Sequence, residues 1–272
     1  MLTRAAIPVT AMAVLLFGCP PKKVVTPREG VTAEALLARL ETAEAKIERV
    51  RGEARLKIQN QQGTGVLTMF LAAESPGRVH LERLDFFGRP QLVLASDGAH
   101  YTLFDGEKGR WYRGPATAQA MARFFSIALS STDLAALLMG KAPRVKPNAP
   151  PMLTFDTTES RDRLSLFSED RTDALYLFPD FDRVELAHLG EPVGLHFKFE
   201  EWSDSNGIKM PRRVSLSKSN MDATRFELTW KDVELNGKAD PSLFALEIPE
   251  GTPVIELDGR GEETALKPGA NP

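Results

Sequence analysis

The chain has 272 residues, 34 basic and 37 acidic side chains for a formal net charge of −3, and 42% apolar residues. That near balance lacks the basic patch or stripe of a nucleic-acid binder, and a single cysteine, Cys19, excludes an intrachain disulfide and a multi-thiolate metal site. The length suffices for one large β-rich domain or two small ones.

The first residues read as an export signal. Arg4 precedes an apolar stretch from Ala5 to Phe17, interrupted by Pro8 and Thr10 and too short to span a bilayer. It closes on Leu16-Phe17-Gly18-Cys19, with a leucine three before the cysteine and a small residue directly before it, the pattern a lipoprotein signal peptidase seats. Cys19 is the expected lipidation site, and its covalent N-terminal lipid, of the palmitate type, is the one non-protein group expected. Each buried methylene of such an anchor contributes about 0.8 kcal/mol. Pro20 follows in place of an aspartate, which by the sorting rule of enteric bacteria directs the protein to the inner leaflet of the outer membrane, facing the periplasm. The expected organisation is signal peptide 1–19, tether 20–31, folded domain 32–257 and flexible tail 258–272.

Thr32 precedes a helical pattern in which Leu36, Leu40, Ala43, Ile47 and Val50 share one face, opposite Glu34, Glu41, Glu44, Lys46 and Glu48. From Arg51 the period becomes two, with Ala54, Leu56 and Ile58 alternating with Arg55, Lys57 and Gln59. A turn at 61–65 leads into a strand over 66–72. Further strands are expected at 78–84, 91–96, 100–105 and 110–113, separated by Gly- and Pro-rich turns. Pro115 opens a helical region over 116–127, and Ser130 to Asp133 caps another that stops at Gly140. Strands resume at 153–156, 163–168, 174–178, 183–188, 195–200, 213–217 and 225–235. Asp204-Ser-Asn-Gly207 reads as a hairpin turn. About a dozen strands in one antiparallel series would curl, so the expected fold is mainly β with a helical lid: a curved antiparallel sheet, or incomplete β-barrel, covered by short helices.

Catalytic patterns are absent. The four histidines share no metal-ligand spacing, and His80 and His196 read as surface residues on polar strand faces. No Gly-x-Ser-x-Gly elbow or phosphate loop occurs, and Asp180 and Asp182 read as two solvated acids at a turn. No enzymatic activity, metal or nucleic-acid partner is expected.

The order of landmarks resembles the Lol lipoprotein-carrier superfamily over about residues 33–255, and within it the outer-membrane lipoprotein receptor, LolB, more than the periplasmic chaperone. The landmarks are the N-terminal cysteine, the helix running into Val50-Arg-Gly-Glu-Ala-Arg-Leu, the strand and turn from Val79 to Pro90, the segment Asp133 to Pro143, and the closing Asp240-Pro-Ser-Leu-Phe244 with Ile248-Pro-Glu-Gly251. The resemblance implies an apolar half-barrel that holds acyl chains, with Leu36, Leu40, Ile47, Phe124, Phe125, Leu134, Leu137 and Leu138 as cavity or lid. It also implies a membrane-inserting loop at Phe86 and Phe87, Phe87 standing where the family has leucine. The chain is longer than a typical receptor after residue 143. The expected partners are the membrane through the lipid anchor, an acylated lipid or lipoprotein, and a periplasmic carrier protein. The rival expectation is a structural or assembly lipoprotein that docks a protein partner and carries no lipid.

Overall fold

The computed structural model describes residues 30–125, 127–180, 182–190, 194–218 and 224–264. Cys19, the signal segment 1–19, tether residues 20–29 and tail residues 265–272 lie outside the described residues.

Helix α1 (Ala33–Glu44) starts at Thr32, whose hydroxyl accepts from the Ala35 amide at 3.2 Å. An antiparallel meander follows: β1 (Arg49–Asn60), β2 (Gly63–Glu74), β3 (Arg78–Leu84), β4 (Pro90–Ser96), β5 (His100–Asp105) and β6 (Arg110–Pro115). Two short helices come next, α2 (Ala118–Phe125) and α3 (Ser131–Leu138). A second meander comprises β7 (Met152–Asp156), β8 (Arg161–Phe167), β9 (Thr172–Leu177), β10 (Val184–Leu189), β11 (Leu195–Ser205), β12 (Ile208–Lys218) and β13 (Arg225–Trp230). The short β14 (Glu234–Leu235), a 3-10 turn at Pro241–Phe244 and β15 (Val254–Glu256) close the described chain.

Antiparallel pairing of β13 with β1 joins the meanders into one sheet, in the order β15-β6-β5-β4-β3-β2-β1-β13-β12-β11-β10-β9-β8-β7, with β14 beside β1. A sheet this long curls, and the three helices fill its apolar side. One core cluster, including Ala54, Leu71, Leu81 and Leu103, lies with Met121 of α2 and Leu138 of α3. The other, including Leu164, Leu175, Phe197 and Phe199, takes Leu36 and Leu40 of α1. The fold is a mainly β, curved open sheet with a helical lid, an incomplete barrel, as the alternation of apolar positions implied.

Several local expectations change. Helix α1 ends at Glu44, so Ile47 and Val50, which continue its spacing, are a connector residue and a β1 residue. Asn60 pairs with Gly63, leaving Gln61 and Gln62 as a two-residue turn and placing Gly63 to Gly65 in β2. The long strand expected over 225–235 breaks after Trp230, where the Lys231 and Asp232 amides both donate to the Glu53 carbonyl (2.9 and 3.2 Å). The Asp232 carbonyl then lies where a Cβ on Gly52 would stand, 2.1 Å away, so only glycine fits there. The hairpin at Asp204 to Gly207 forms as expected, with Asn206 and Gly207 at φ of 54° and 77°. Residues 258–264, expected to be loose, fold back instead: Leu257 bridges Glu263, and the Asp258 carboxylate accepts from the Arg260 and Glu262 amides.

Candidate functional site

The middle of the sheet carries more apolar side chain than the helices fill. In β1, Leu56 and Ile58 point to the concave side. Leu56 lies in register with Leu67 on one flank and Leu228 on the other, and Leu228 with Val214. The next row runs Leu216, Phe226, Ile58 and Gly65, ending on a residue with no side chain. Above these rows stand Met121, Phe124 and Phe125 of α2 and Leu134, Leu137 and Leu138 of α3, and the space between is a cavity of about 410 Å³. Its wall is apolar except for Asn60, Arg83 and Thr224.

Protein interiors leave few voids larger than a water molecule. At about 24 cal/mol per Å³, an enclosed void of 410 Å³ would cost about 10 kcal/mol. That is an upper bound because this one opens to solvent, yet it rivals the roughly 5–15 kcal/mol that holds a domain folded. Space of this size and polarity matches small-molecule sites, about 300–1,000 Å³ and mostly apolar.

The topology places the polar residues of the cavity wall. Reversals in an antiparallel meander alternate ends, so the β1–β2, β3–β4 and β5–β6 turns, the end of β12 and the start of β13 share one end of the sheet. Asn60, which is exposed, and the half-buried Arg83 and Thr224 sit at that end and mark where the cavity lining reaches solvent, its mouth; Arg83 meets Glu107 of the β5–β6 turn at 3.7 Å.

At the same end the β3–β4 turn projects Phe86 and Phe87, 97% and 78% exposed. The turn is held in shape without them. The Asp85 carboxylate accepts from the Phe87 and Arg89 amides (2.8 and 2.9 Å) and pairs with the Arg89 guanidinium at 2.7 Å. These bonds, first the Arg89 amide, hold the Asp85 carboxyl below the usual carboxylate range. Gly88 takes φ of 77°, the two rings stand edge to face at 5.5 Å, and the Arg89 guanidinium lies 5.4 Å over Phe87.

The lid is tied down at its flanks. Thr117 caps α2, accepting from the Ala120 amide while donating to the Gly259 carbonyl at 2.6 Å, and Arg123 donates to the Gly261 carbonyl and the Glu263 carboxylate, both at 2.8 Å. The folded-back segment 258–264 is therefore a clamp on α2. Helix α3 begins in a reciprocal Ser130–Asp133 capping box and ends at Gly140 in the left-handed region, where the Gly140 and Lys141 amides satisfy the Leu137 and Ala136 carbonyls. Beneath α2, Phe124 stands edge-on to Tyr112 (5.1 Å) and Tyr101 (5.9 Å). The Tyr101 hydroxyl has no hydrogen-bond partner among the described residues, and burial pushes its pKa up to about 12.

Of the residues expected at the cavity or lid, Phe124, Phe125, Leu134, Leu137 and Leu138 line it. Leu36 and Leu40 do not: α1 covers the other half of the sheet, where both are buried in the second core cluster. Ile47 is buried in the first cluster, away from the cavity, and its carbonyl accepts from the Lys141 ammonium at 2.6 Å. Burial lowers the pKa of that lysine. The floor residues were not singled out from the sequence, although their alternation in β1, β2 and β13 marks one face.

His80 corrects its expected surface position. It is 5% exposed, and its Nδ1 lies 2.8 Å from the Leu243 carbonyl of the 3-10 turn that packs on β3. His196 stacks on His188 across β10 and β11, with ring centroids 4.1 Å apart. Asp180 and Asp182 are not merely solvated: both contact Lys209, and both pair with Arg183. Among the described residues no group of three or more His, Cys, Asp or Glu could hold a metal, and no helix is long and apolar enough to cross a membrane.

No family model and no curated protein matches the chain. Solved structures do. An outer membrane lipoprotein-sorting protein domain from Vibrio parahaemolyticus aligns with a TM-score of 0.56 at 11% identity, covering 78% of this chain and 97% of its own. A LolA superfamily protein from Nitrosomonas europaea aligns with a TM-score of 0.56 at 12% identity, covering 80% and 99%. A DUF1329 family protein from Desulfovibrio piger gives 0.54 at 10%, covering 78% and 95%. At these identities the likeness concerns the fold, and the fold this chain shares is that of LolA-superfamily and outer membrane lipoprotein-sorting domains.

Proposed function

We propose that the chain is an envelope lipoprotein, anchored through a lipid on Cys19, that holds the acyl part of a lipid or lipoprotein under α2 and α3 and delivers it to the membrane in the manner of a LolB-type receptor. The observation that carries this reading is the 410 Å³ apolar cavity whose mouth shares one end of the sheet with the exposed Phe86–Phe87 turn. The likeness to lipoprotein-sorting and LolA-superfamily structures supports it. Affinity comes from removing acyl surface from water at about 25 cal/mol per Å². Two phenylalanines entering a bilayer contribute about 1.5–3 kcal/mol each, enough for a reversible touch while the Cys19 lipid provides the lasting anchor. The mouth then opens beside the bilayer, so a released chain crosses little water. Cargo would come from a periplasmic carrier protein.

Native mass spectrometry and lipid extraction of the protein purified from an envelope fraction test this. A co-purifying acylated species, lost on Phe124→Asp in a variant that still folds, is the expected result. An empty protein that also refuses fluorescent acyl probes would overturn lipid carriage and favour an assembly lipoprotein that docks a protein partner.

A further inference from the structure

Arg83 is the one charged side chain among the described residues lining the cavity. It lies opposite Leu92 in the last regular pair of β3 and β4 before the hairpin turn, at the mouth, with its side chain 35% exposed. A cation half-withdrawn from water beside apolar wall loses hydration and needs an anion to recover it. Its neighbour Glu107 gives little: the pair is 3.7 Å apart, beyond hydrogen-bond reach, and Glu107 is 65% exposed. Two cations of the neighbouring turns are engaged, Arg89 with Asp85 at 2.7 Å and Lys108 with Asp105 at 3.0 Å, and Arg110, Lys218 and Arg225 at the same end of the sheet do not line the cavity. No acidic side chain lines the cavity among the described residues. A chain lying in the cavity therefore leaves its head beside a loosely held guanidinium, whose planar donors suit a carboxylate or a phosphate.

We propose that Arg83 makes this a site for acid-headed lipids, the chain under the lid and the carboxylate or phosphate on the guanidinium, with Glu107 displaced. This rests on the acyl-binding reading above and narrows it. The glyceride head of an acylated protein N-terminus has no acid group and gains nothing from Arg83.

The test uses the full chain carrying Cys19→Ser, so that its own lipid cannot compete. Affinities are compared within two pairs of probes: palmitate against hexadecanol, at a pH where the carboxylate is ionised, and dioleoylphosphatidylglycerol against dioleoylglycerol. The acid member binds about tenfold tighter, a difference of about 1.4 kcal/mol. Arg83→Gln collapses that ratio to about one, Arg83→Lys keeps most of it, and Glu107→Gln raises it. Preference in the first pair alone identifies a fatty acid, and in the second alone an anionic phospholipid. Equal binding of acid and neutral probes, or a ratio that survives Arg83→Gln, overturns the assignment while leaving the acyl site standing. Failure of all four probes to bind overturns both.

Discussion

Leu56 of β1 and Leu228 of β13 lie opposite each other where the two meanders meet, and both line the cavity. The space under the lid is thus built across the seam that makes the sheet continuous. Leu228→Phe puts extra volume into empty space and changes stability by less than about 1.5 kcal/mol, while uptake of a fluorescent acyl probe falls about tenfold. Paired thermal melts and probe titrations check this. Unchanged uptake would mean the probe binds elsewhere.

Phe86 and Phe87 make no core contact that the turn depends on, since Asp85 and Arg89 fix its shape. Replacing both by serine should alter stability by no more than about 0.5 kcal/mol. The same variant should transfer a bound acyl probe to vesicles several times more slowly. Stopped-flow transfer rates decide it, and a rate unaffected by the double substitution removes the tip from the delivery step.

Arg123 links α2 to Gly261 and Glu263. Both ionic partners are partly exposed, so Arg123→Ala costs about 1 kcal/mol locally and should lower amide exchange protection in α2 about fivefold. Protection in β8 and β9 should not move. Equal loss in both regions would show a global role in place of a clamp on the lid.

The Tyr101 hydroxyl is buried without a hydrogen-bond partner among the described residues, and its folded pKa is raised to about 12. Below the unfolded value of about 10 both states hold the proton, and no penalty arises. As pH rises above it the unfolded chain ionises while the folded one resists, so stability falls between about pH 10 and 12. Tyr101→Phe should reduce this alkaline loss and should not destabilise at neutral pH, because it removes an unsatisfied polar group. Denaturant titrations across that range provide the check, and an unaltered alkaline slope would contradict it.

Strands were legible where one face is buried: Leu195, Phe197 and Phe199 alternate with polar neighbours, and β11 forms there. The lid was legible in part. Phe124, Phe125, Leu134, Leu137 and Leu138 form apolar helix faces, but so do Leu36 and Leu40, and periodicity does not reveal which half of the sheet a helix covers. Ile47 was misplaced because the spacing of three and four runs on past the end of α1. Arg83 was hidden because a cation in an alternating strand looks like solvated surface, and only the register with Leu92 turns it to the cavity. The clamp over 258–264 is polar and glycine-rich, the composition of a loose tail, and is ordered by carboxylate caps and by contacts to α2 far away in sequence.

An acyl chain beneath the lid is tested most directly by crosslinking with a diazirine-bearing palmitate, followed by peptide mapping of the labelled sites. Labels should fall on the facing surfaces of β1, β2 and β13 and on α2 and α3, with Leu56, Leu67, Phe124, Leu134 and Leu228 among them. Labels confined to α1 or to the outer face of the sheet, or no labelling above background, would contradict the acyl-binding reading.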